Sequence, residues 1–473
     1  MPVPGKMTKR PVWTTVAGKE TLGKTPMTIS GKAAWPLAVS LLLATCQTTG
    51  SSTAVGSTAG PEGQVVASLV YRSGPYDEMG IHLANGMQDY FDLINRRDGG
   101  VGGIRGIRLS YEECETGFNT KKAMACYEKL KGKRPSIVIP ASTGMVYQLI
   151  PKSARDQIPI VALGIGRTES GDGKVFPWAF NLPANYWDQA SSLIAYLAER
   201  VGGFDALKGR SIVHLFHNSA YGKEPNRTLE TLARRYRYDL TLVPVDHPGH
   251  KQKDQWRRIR DLDPDFIFVS GWGVMNVVVV QQAKKNEYPM DRVIGNWWSA
   301  SDYDVRMAGP DAAGYIGASF HLPGGGLPVH RDIIEYVYGG DDSRARQNFL
   351  GTVYYNRGLL HAMIVVEAIR KAQERFGRTA QSGEQVRWGL EHLELMDARF
   401  EELGAKDFAA PFRLSCADHG GSSAILFQQW DGWRWKPVSG WLSPMNDLVR
   451  PRVETTAAAY AKANGITPRL CDE

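Results

Sequence analysis

Two motifs that mark common hydrolases are missing from this sequence, and so is a membrane span. It contains neither a G-x-S-x-G elbow nor an H-E-x-x-H pair. No apolar run reaches the ~20 residues that a helix needs to cross a bilayer. These absences argue against motif-bearing serine hydrolases and zinc proteases, and we predict no catalytic residue. A dispersed Ser–His–Asp triad leaves no local motif, so an exported hydrolase stays open as an alternative.

The charge balance gives little support for nucleic-acid binding. Lysine and arginine together number 56, against 49 aspartates and glutamates, and the net charge is +7. The cations are scattered among acids, which is typical of a mildly basic globular protein. With 43% hydrophobic and 22% charged residues, the 473-residue chain can bury a core. Its length predicts at least two domains.

The first 63 residues are typical of an export signal followed by a flexible linker. The apolar run Ala33–Ala44 is short and precedes a tract rich in glycine, serine and threonine. Met27 would give a more compact signal if translation begins there. Cys46 stands where a lipoprotein signal carries its lipidated cysteine, although Thr45 replaces the usual small residue before it. Lipidation of Cys46 and simple cleavage slightly downstream both stay open.

Export changes the interpretation of the five cysteines. If Cys46 leaves with the signal or carries lipid, four remain, and four cysteines allow three pairings. An oxidising compartment favours Cys114–Cys126, which are close in sequence, and Cys416–Cys471, which are both near the C-terminus. The alternative is four free buried thiols.

From Gln64 onwards, short β-branched runs alternate with segments of helical periodicity. This alternation predicts an α/β fold in which parallel sheets are flanked by helices. A hairpin with a turn at Asp431-Gly432 is expected near the end. The main expected strands are Val65–Val70, Ile107–Glu112, Ser136–Pro140, Ile160–Leu163, Ser211–Phe216, Leu240–Val245 and Asp265–Val269, and the main expected helices are Thr120–Lys131, Val146–Arg155 and Val353–Glu402.

The alternation pauses three times, at Phe176–Tyr186, His321–Pro328 and Ala409–Phe412. Clusters of proline, glycine and aromatic residues at these points are typical of connections between two lobes. The predicted division is an export signal and linker at 1–63, lobe 1 at 64–181 and 322–410, and lobe 2 at 182–321 and 411–473.

Two expected strands of lobe 1 end at residues that could contact a ligand. Ser142, Thr143 and Gly144 come after the strand SIVIP and open a helix. Their hydroxyl groups and the NH groups of a helix start are suited to a carboxylate, although simple capping is the other interpretation. Leu163 and Gly164 end the next strand, where the glycine permits close approach. Ligands of open α/β sheets bind at such strand ends.

Aromatic residues follow three expected strands of lobe 2, namely Tyr221, Trp272 and Trp297. Each one alone is more often a packing residue, but their recurrence at strand ends favours a ligand site. The glycine cluster Gly99–Gly106 precedes its strand and lacks dinucleotide spacing, so it predicts a loop. The pair His247 and His250 predicts a surface turn. No cofactor and no metal site are therefore expected.

Taken in order, these segments resemble the type I periplasmic binding proteins of the leucine/isoleucine/valine-binding kind. The resemblance runs from about Gln64 to the end of the chain. It is carried by the entry VVASLVYRSGPYDEMGIHLANGMQDYFDLIN, the ASTG turn at 141–144, the Tyr221-Gly222 pair and the SGWG turn at 270–273.

The resemblance implies two lobes with three crossovers that close over a ligand, with no catalysis. It implies that Ser142 and Thr143, with Leu163 and Gly164, hold a ligand carboxylate and that Tyr221 closes from lobe 2. The expected partners are a small-molecule ligand and the permease of an ABC importer. The expected location is the periplasm or the outer face of the cell membrane, with membrane contact only through the possible lipid anchor. A ligand-sensing module of a receptor is the main alternative.

One departure from the family concerns the ligand ammonium group. Amino-acid binders of this kind carry a glutamate shortly after the glycine-aromatic turn, but the stretch Gly271–Asn276 has no acid. Either Asp302 or Asp304 meets the ammonium, or the ligand has none. The pair Trp297-Trp298 favours an apolar or aromatic ligand body. A leucine-like amino acid and an aromatic or aliphatic acid are therefore both open.

Overall fold

The structure, a computed structural model, describes residues 63–104 and 106–471. Residues 1–62, which hold nearly all of the expected export segment with Met27 and Cys46, lie outside the described part. No helix in the described ranges is long and apolar enough to cross a bilayer.

The first sheet has five parallel strands in the order β2-β1-β3-β4-β5. Its inner strands are buried on both faces because helices cover the sheet on either side, which suits their β-branched composition. The elements are β1 (Gln64–Val70), α1 (Asp77–Arg97), β2 (Leu109–Glu115), α2 (Thr120–Lys131), β3 (Ile137–Ile139), α3 (Thr143–Asp156), β4 (Ile160–Leu163) and β5 (Ala179–Leu182).

After β5 the chain builds a second sheet by the same alternation. Five strands pair in parallel in the order β10-β9-β8-β6-β7. The elements are α4 (Tyr186–Val201), β6 (Ser211–His217), α5 (Ala220–Lys223), α6 (Asn226–Tyr236), β7 (Asp239–Val245), α7 (Lys253–Leu262), β8 (Phe266–Ser270), α8 (Val274–Lys285), β9 (Val293–Gly295), α9 (Asp302–Ala308) and β10 (Ile316–Ser319).

Beyond β10 the chain leaves the second sheet and later returns to it. The returning hairpin of β13 and β14 adds two antiparallel strands beside β10, and β11 pairs with β12 in a separate ladder. The elements are α10 (Pro328–Tyr336), α11 (Asp342–Gln347), α12 (Val353–Phe376), α13 (Gly383–Glu391), β11 (Glu394–Leu395), α14 (Asp397–Glu402), β12 (Phe412–Arg413), β13 (Leu426–Trp430), β14 (Trp435–Pro437) and α15 (Asn446–Asn464).

The long helix α12 packs against α1 of the first sheet at two glycines. A Cβ at Gly86 would lie 2.1 Å from the carbonyl oxygen of Tyr355, and one at Gly358 would lie 2.0 Å from that of Leu83. Only glycine permits this helix–helix distance. The contact brings the buried start of α12, including Arg357, beneath the first sheet's strand ends.

The α/β class with helix-flanked parallel sheets is confirmed, but three expected elements have other bounds. The helix expected at Val146–Arg155 begins at Thr143. The helical stretch expected at Val353–Glu402 is three helices. Gly377, with φ of 91°, ends α12 and Ser382 caps α13, and the short strand β11 separates α13 from α14. The strand expected at Ile107–Glu112 begins two residues later, since Ile107 pairs with Val101 in an isolated bridge. The lobe boundaries themselves stay a prediction.

Both expected disulfides are present. Cys114 at the end of β2 is bonded to Cys126 on α2, and Cys416 is bonded to Cys471 after α15. The second bridge attaches the last described residue to the segment that precedes the returning hairpin. The pairing chosen from sequence spacing is therefore confirmed.

Candidate functional site

A cavity of about 210 Å³ lies where strand ends of the two sheets meet. Its walls follow the carboxyl ends of β2, β3 and β4 in the first sheet and of β6, β8 and β9 in the second, as expected for a ligand site in α/β sheets. The lining residues are Phe118, Thr120, Ala141, Ser142, Thr143, Gly144, Ile165, Tyr186, His217, Ser219, Ala220, Tyr221, Trp272 and Trp298.

One end of the cavity is rich in hydrogen-bond donors. The Ser142 hydroxyl caps α3 by accepting from the NH of Met145 at 3.3 Å, and the Thr143 hydroxyl accepts from the NH of Gly166 at 3.1 Å. Both hydroxyl groups belong to residues that line the cavity, and each can donate its proton to a bound acceptor. The first NH groups of a helix have no intrahelical acceptor, and α2 also begins at a lining residue, Thr120. Two helix N-termini therefore favour an anion here.

Aromatic rings form the opposite walls. Trp272 stacks on Phe118 with ring centroids 5.9 Å apart and meets Trp298 edge to face at 5.4 Å. Tyr186 and Tyr221 lie beside each other with centroids 5.4 Å apart. Rings from both sides thus give the cavity an apolar wall that suits an aromatic or branched ligand body.

Tyr221 is held by its own side of the cavity. Its hydroxyl donates to the carbonyl oxygen of Gly271 at 2.9 Å and accepts from Nδ2 of Asn296 at 2.7 Å. Burial raises the pKa of Tyr221 well above its usual range, so the hydroxyl is neutral. Because the hydroxyl already has these two partners, Tyr221 contributes mainly its ring to the cavity wall.

Three lining residues carry buried polar atoms that find no partner in the described part of the chain, namely Nε1 of Trp272, Nε2 of His217 and the hydroxyl of Tyr186. The indole NH can only donate, and an acceptor atom on a bound ligand would satisfy it. His217 bonds Ser219 through Nδ1 at 2.9 Å. Burial, with a smaller effect of His247, lowers the pKa of His217 to about 4, so the ring is neutral at physiological pH.

None of the cavity-lining residues is an acid, and the two aspartates considered for a ligand ammonium are engaged elsewhere. Asp302 accepts the NH of Val353 at 2.7 Å, and Asp304 accepts Nδ2 of Asn276 at 2.9 Å. Burial raises the pKa of Asp304 to about 7 and that of Asp302 in the same direction. Neither aspartate lines the cavity, which leaves its described walls without an ammonium partner.

The sequence-predicted site residues divide into two groups. Ser142, Thr143, Gly144, Tyr221 and Trp272 line the cavity together. The remaining three lie outside its lining, and they are Leu163, Gly164 and Trp297.

Trp297 lies between the sheets rather than in the cavity wall. Its Nε1 donates to the carbonyl oxygen of Gly164 at 2.9 Å, and Nε1 of Trp298 donates to the same oxygen at 2.9 Å. Adjacent residues direct their side chains differently, and Trp298 is the one that reaches the cavity. Gly164 thus supplies a backbone acceptor for a junction between the sheets. Trp298, and not Trp297, lines the cavity.

Further hydrogen bonds join the two sides around the cavity. The Tyr76 hydroxyl, just before α1, pairs with Nδ1 of His247 at 2.7 Å. The Thr168 hydroxyl donates to Glu224 at 2.8 Å. The Tyr354 hydroxyl on α12 donates to the carbonyl oxygen of Trp298 at 2.8 Å. The lining residues are therefore gathered in a closed arrangement.

Eight lining residues were not identified from the sequence, and Trp298 was considered only as the neighbour of Trp297. Some carried a usable signal: Thr120 and Tyr186 each begin a helix that follows a strand, as Thr143 does. His217 is the last residue of β6. Others carried none, because a small or apolar residue after a strand is common. The eight are Phe118, Thr120, Ala141, Ile165, Tyr186, His217, Ser219 and Ala220.

Comparison with known proteins agrees with this architecture. Residues 64–434 match the family model for periplasmic binding protein. A solved structure described as an ABC transporter permease from the Pseudomonas fluorescens group is 39% identical, with a TM-score of 0.81 over 87% of this chain and 100% of that one.

Two more distant structures share the fold. A branched-chain amino acid ABC transporter from Thermus thermophilus with bound valine is 20% identical, with a TM-score of 0.67 over 83% of this chain and 100% of that one. A solute binding protein of an ABC transporter from R. palustris in complex with benzoate is 14% identical, with a TM-score of 0.63 over 81% and 97%. No curated protein matches the sequence.

These findings identify a solute-binding protein rather than an enzyme, and they support the role of substrate-binding component of an ABC transporter. Such a component has a small-molecule ligand and a permease as partners and an extracytoplasmic location. Since the family model spans most of the sequence, this chain belongs to the periplasmic binding protein family.

Proposed function

We propose that this substrate-binding component captures a small carboxylate with an apolar or aromatic body. The observation that carries the proposal is the composition of one cavity: hydroxyl and helix-start donors at Ser142 and Thr143 face the rings of Trp272 and Trp298, and no acid is among the lining residues. The donors suit an anion, the rings suit an apolar body, and an ammonium would be left without a counter-charge.

Capture follows from the closed arrangement. The carboxylate accepts from the Ser142 and Thr143 hydroxyls while the ligand body packs against the aromatic wall that includes Trp272, Trp298 and Tyr186. Closure removes water from both ends of the ligand, which strengthens the polar contacts. The free indole NH of Trp272 favours ligands that carry an additional acceptor near the ring.

The proposed ligand class rests on the residues that line the cavity, because the ligands of the related structures differ from one another. One distant structure holds valine and another holds benzoate. The described lining here has the donors that either carboxylate needs but lacks an acid for the ammonium of valine. An aromatic or aliphatic acid without an α-amino group is therefore the proposed ligand class.

Matched pairs of ligands test this assignment by calorimetry. Valine against 3-methylbutanoate, and phenylalanine against 3-phenylpropanoate, differ chiefly in the ammonium group. We expect the acids without the ammonium to bind at least tenfold more tightly. Tighter binding of the amino acids would overturn the assignment and favour an amino-acid transporter.

The carboxylate position is tested with Thr143→Val, compared with a surface control, Thr231→Val. Thr143→Val should weaken benzoate binding roughly tenfold, about 1.4 kcal/mol, because a charge-assisted hydrogen bond is lost. Binding of benzamide, which has no charge, should change much less. The control should leave both unchanged. Equal losses for benzoate and benzamide would indicate a structural effect and contradict the carboxylate position.

We also propose the lobe division 64–181 with 322–410 and 182–321 with 411–473, supported by the placement of the two sheets.

We further propose that the first 63 residues direct export and that Cys46 is lipidated. Mass spectrometry of the protein from its native compartment should find the leader removed, with a diacylglycerol mass on Cys46. An unmodified N-terminus downstream of Cys46 would support simple cleavage instead.

A further inference from the structure

A second, smaller cavity of about 40 Å³ lies behind the ligand cavity. The two cavities share three lining residues, Ala141, Ile165 and Trp298. Its inner wall includes Arg357 on α12 and Tyr71 at the end of β1. A volume of this size holds one or two small groups, since a water molecule occupies about 30 Å³ in the liquid.

Arg357 is fully buried and has no acidic partner among the described residues. Its Nη1 donates to the carbonyl oxygen of Trp297, while Nε and Nη2 find no acceptor in the described part of the chain. Burial lowers the pKa of Arg357 only to about 10, so the guanidinium is charged at neutral pH. Buried charges are normally paired, which makes this one unusual.

Aromatic rings stabilise the guanidinium in part. Its carbon lies 4.7 Å from the ring centroid of Trp298, 4.8 Å from that of Phe320 and 5.3 Å from that of Tyr354. These cation–π contacts offset some of the lost hydration. The N–H groups lie in the guanidinium plane, however, so rings that stack on its face do not accept hydrogen bonds from them. The charge of Arg357 therefore still favours an anion.

A third donor lines the same small cavity. The Tyr71 hydroxyl is buried and has no hydrogen-bond partner among the described residues. Burial raises the pKa of Tyr71 far above its usual range, so the proton stays on the oxygen. His361, which also lines the cavity, is already bonded through Nε2 to the carbonyl oxygen of Val161 at 3.0 Å.

We propose that Arg357 and Tyr71 form an anion subsite behind Trp298 that binds one small anionic group. Two sources share this chemistry: an inorganic anion of the size of chloride, or a second anionic group of the transported acid that passes Ala141 and Ile165. The second source rests on the proposed function, whereas the first does not. In either case the anion neutralises the buried charge and stabilises the closed arrangement, because Arg357 also holds the backbone of Trp297.

Halide binding tests the subsite without knowledge of the ligand. Crystals of the wild-type protein grown in sodium bromide should show an anomalous peak within hydrogen-bond distance of Arg357 Nε or Nη2. The melting temperature should be higher in chloride or bromide than in gluconate at equal ionic strength, since gluconate is too large for the cavity. Arg357→Met and Tyr71→Phe should reduce this difference. The matched control is Arg375→Met, since Arg375 also lies over a ring, Trp388, but at the surface.

Titration with phenylsuccinate, which carries a second carboxylate besides the one assigned to Ser142 and Thr143, distinguishes the two sources. If the acid supplies the anion, chloride raises its apparent Kd, and Arg357→Met raises it roughly tenfold or more. If an inorganic anion is resident, the affinity is independent of chloride and the bromide peak remains in the complex. Either result supports the subsite.

The inference is overturned if three results coincide: no bromide peak, no difference between chloride and gluconate, and wild-type affinity in Tyr71→Phe and Arg357→Met. Tyr71→Phe keeps the test valid if Arg357→Met does not fold. That failure leaves the proposed function intact, because it is tested by Thr143→Val. Conversely, if the protein binds no carboxylate but the bromide peak is present, the anion subsite is supported and the proposed function is contradicted.

Discussion

The hydroxyl of Thr168 donates to the carboxyl group of Glu224 over 2.8 Å, and the Tyr147 hydroxyl donates to the other oxygen. Thr168 and Tyr147 belong to the first sheet's side, whereas Glu224 follows α5 on the second sheet's side. Burial raises the pKa of Glu224 to about 7, opposed by the Tyr147 hydrogen bond and assisted by the charge of Glu169. This junction therefore titrates near neutral pH.

The raised pKa predicts a pH-dependent stability. Between the ordinary value of 4.5 and about 7, the folded protein holds a proton on Glu224 that the unfolded chain has lost. The stabilising contribution is complete below pH 4.5 and is lost as the pH rises through 7. Between pH 5 and 8, the free energy of unfolding of wild type should fall by on the order of 1–3 kcal/mol more than that of Glu224→Gln.

Urea denaturation of both proteins at the two pH values measures this difference. The comparison is needed because burial also raises the pKa of Asp188 and of Asp304 to about 7, and these groups titrate in both proteins. An identical pH dependence in wild type and Glu224→Gln would mean that Glu224 is ionised in the folded state.

The neighbouring tryptophans should have separable roles. Trp297→Phe removes one hydrogen bond to Gly164 but keeps the ring near Tyr186, so ligand dissociation should accelerate about fivefold with the order of ligand preference unchanged. Trp298→Phe also removes part of the cavity wall and should change the preference between aromatic and aliphatic acids. Stopped-flow dissociation with benzoate and 3-methylbutanoate measures both effects. A changed preference in Trp297→Phe alone would assign the wall to that residue instead.

The fold was predictable because its signals are local and repeated. Alternating β-branched strands and amphipathic helices require no knowledge of distant contacts, and α2 was placed with correct bounds at Thr120–Lys131. The division of the expected helix at Val353–Glu402 was missed because both interruptions are short, although Gly377 and Ser382 mark the ends of the first one.

The candidate site was predictable only at strand ends that carry polar or aromatic residues. Ser142 and Trp272 have such signals, but the choice between Trp297 and Trp298 depends on side-chain direction after β9, which the sequence does not specify. Arg357 illustrates the larger difficulty. It lies in a helix far along the chain, and only the packing of α12 on α1 brings it behind the cavity.

The two disulfides should differ in their contribution to stability. Cys114–Cys126 joins residues 12 apart, and Cys416–Cys471 joins residues 55 apart. In the chain-entropy model, the losses on replacing the pairs by serine are about 3 and about 4 kcal/mol respectively. Guanidinium denaturation under non-reducing conditions measures each. A smaller loss for the longer loop would show that the last residues contribute little to the folded state.

Gly164 should be required for closure. Comparison with a second glycine of positive φ separates the effect of backbone strain from the effect of the steric clash. Gly164 has φ of 62°, and a Cβ there would lie 2.9 Å from the ring of Phe320 and 3.1 Å from Nε1 of Trp297. Gly202 has φ of 96°, but no described atom lies within 4 Å of its Cβ position. Both alanine variants incur backbone strain of about 1 kcal/mol, whereas only Gly164→Ala separates the two sheets at their junction.

Gly164→Ala should therefore weaken binding of the tightest acid in the panel roughly tenfold or more, and Gly202→Ala should lower the melting temperature without changing affinity. Small-angle scattering supplies an independent readout, since saturating ligand should reduce the radius of gyration of wild type and Gly202→Ala but not of Gly164→Ala. Wild-type affinity and ligand-induced compaction in Gly164→Ala would mean that closure does not require the contact between Gly164 and the two tryptophans.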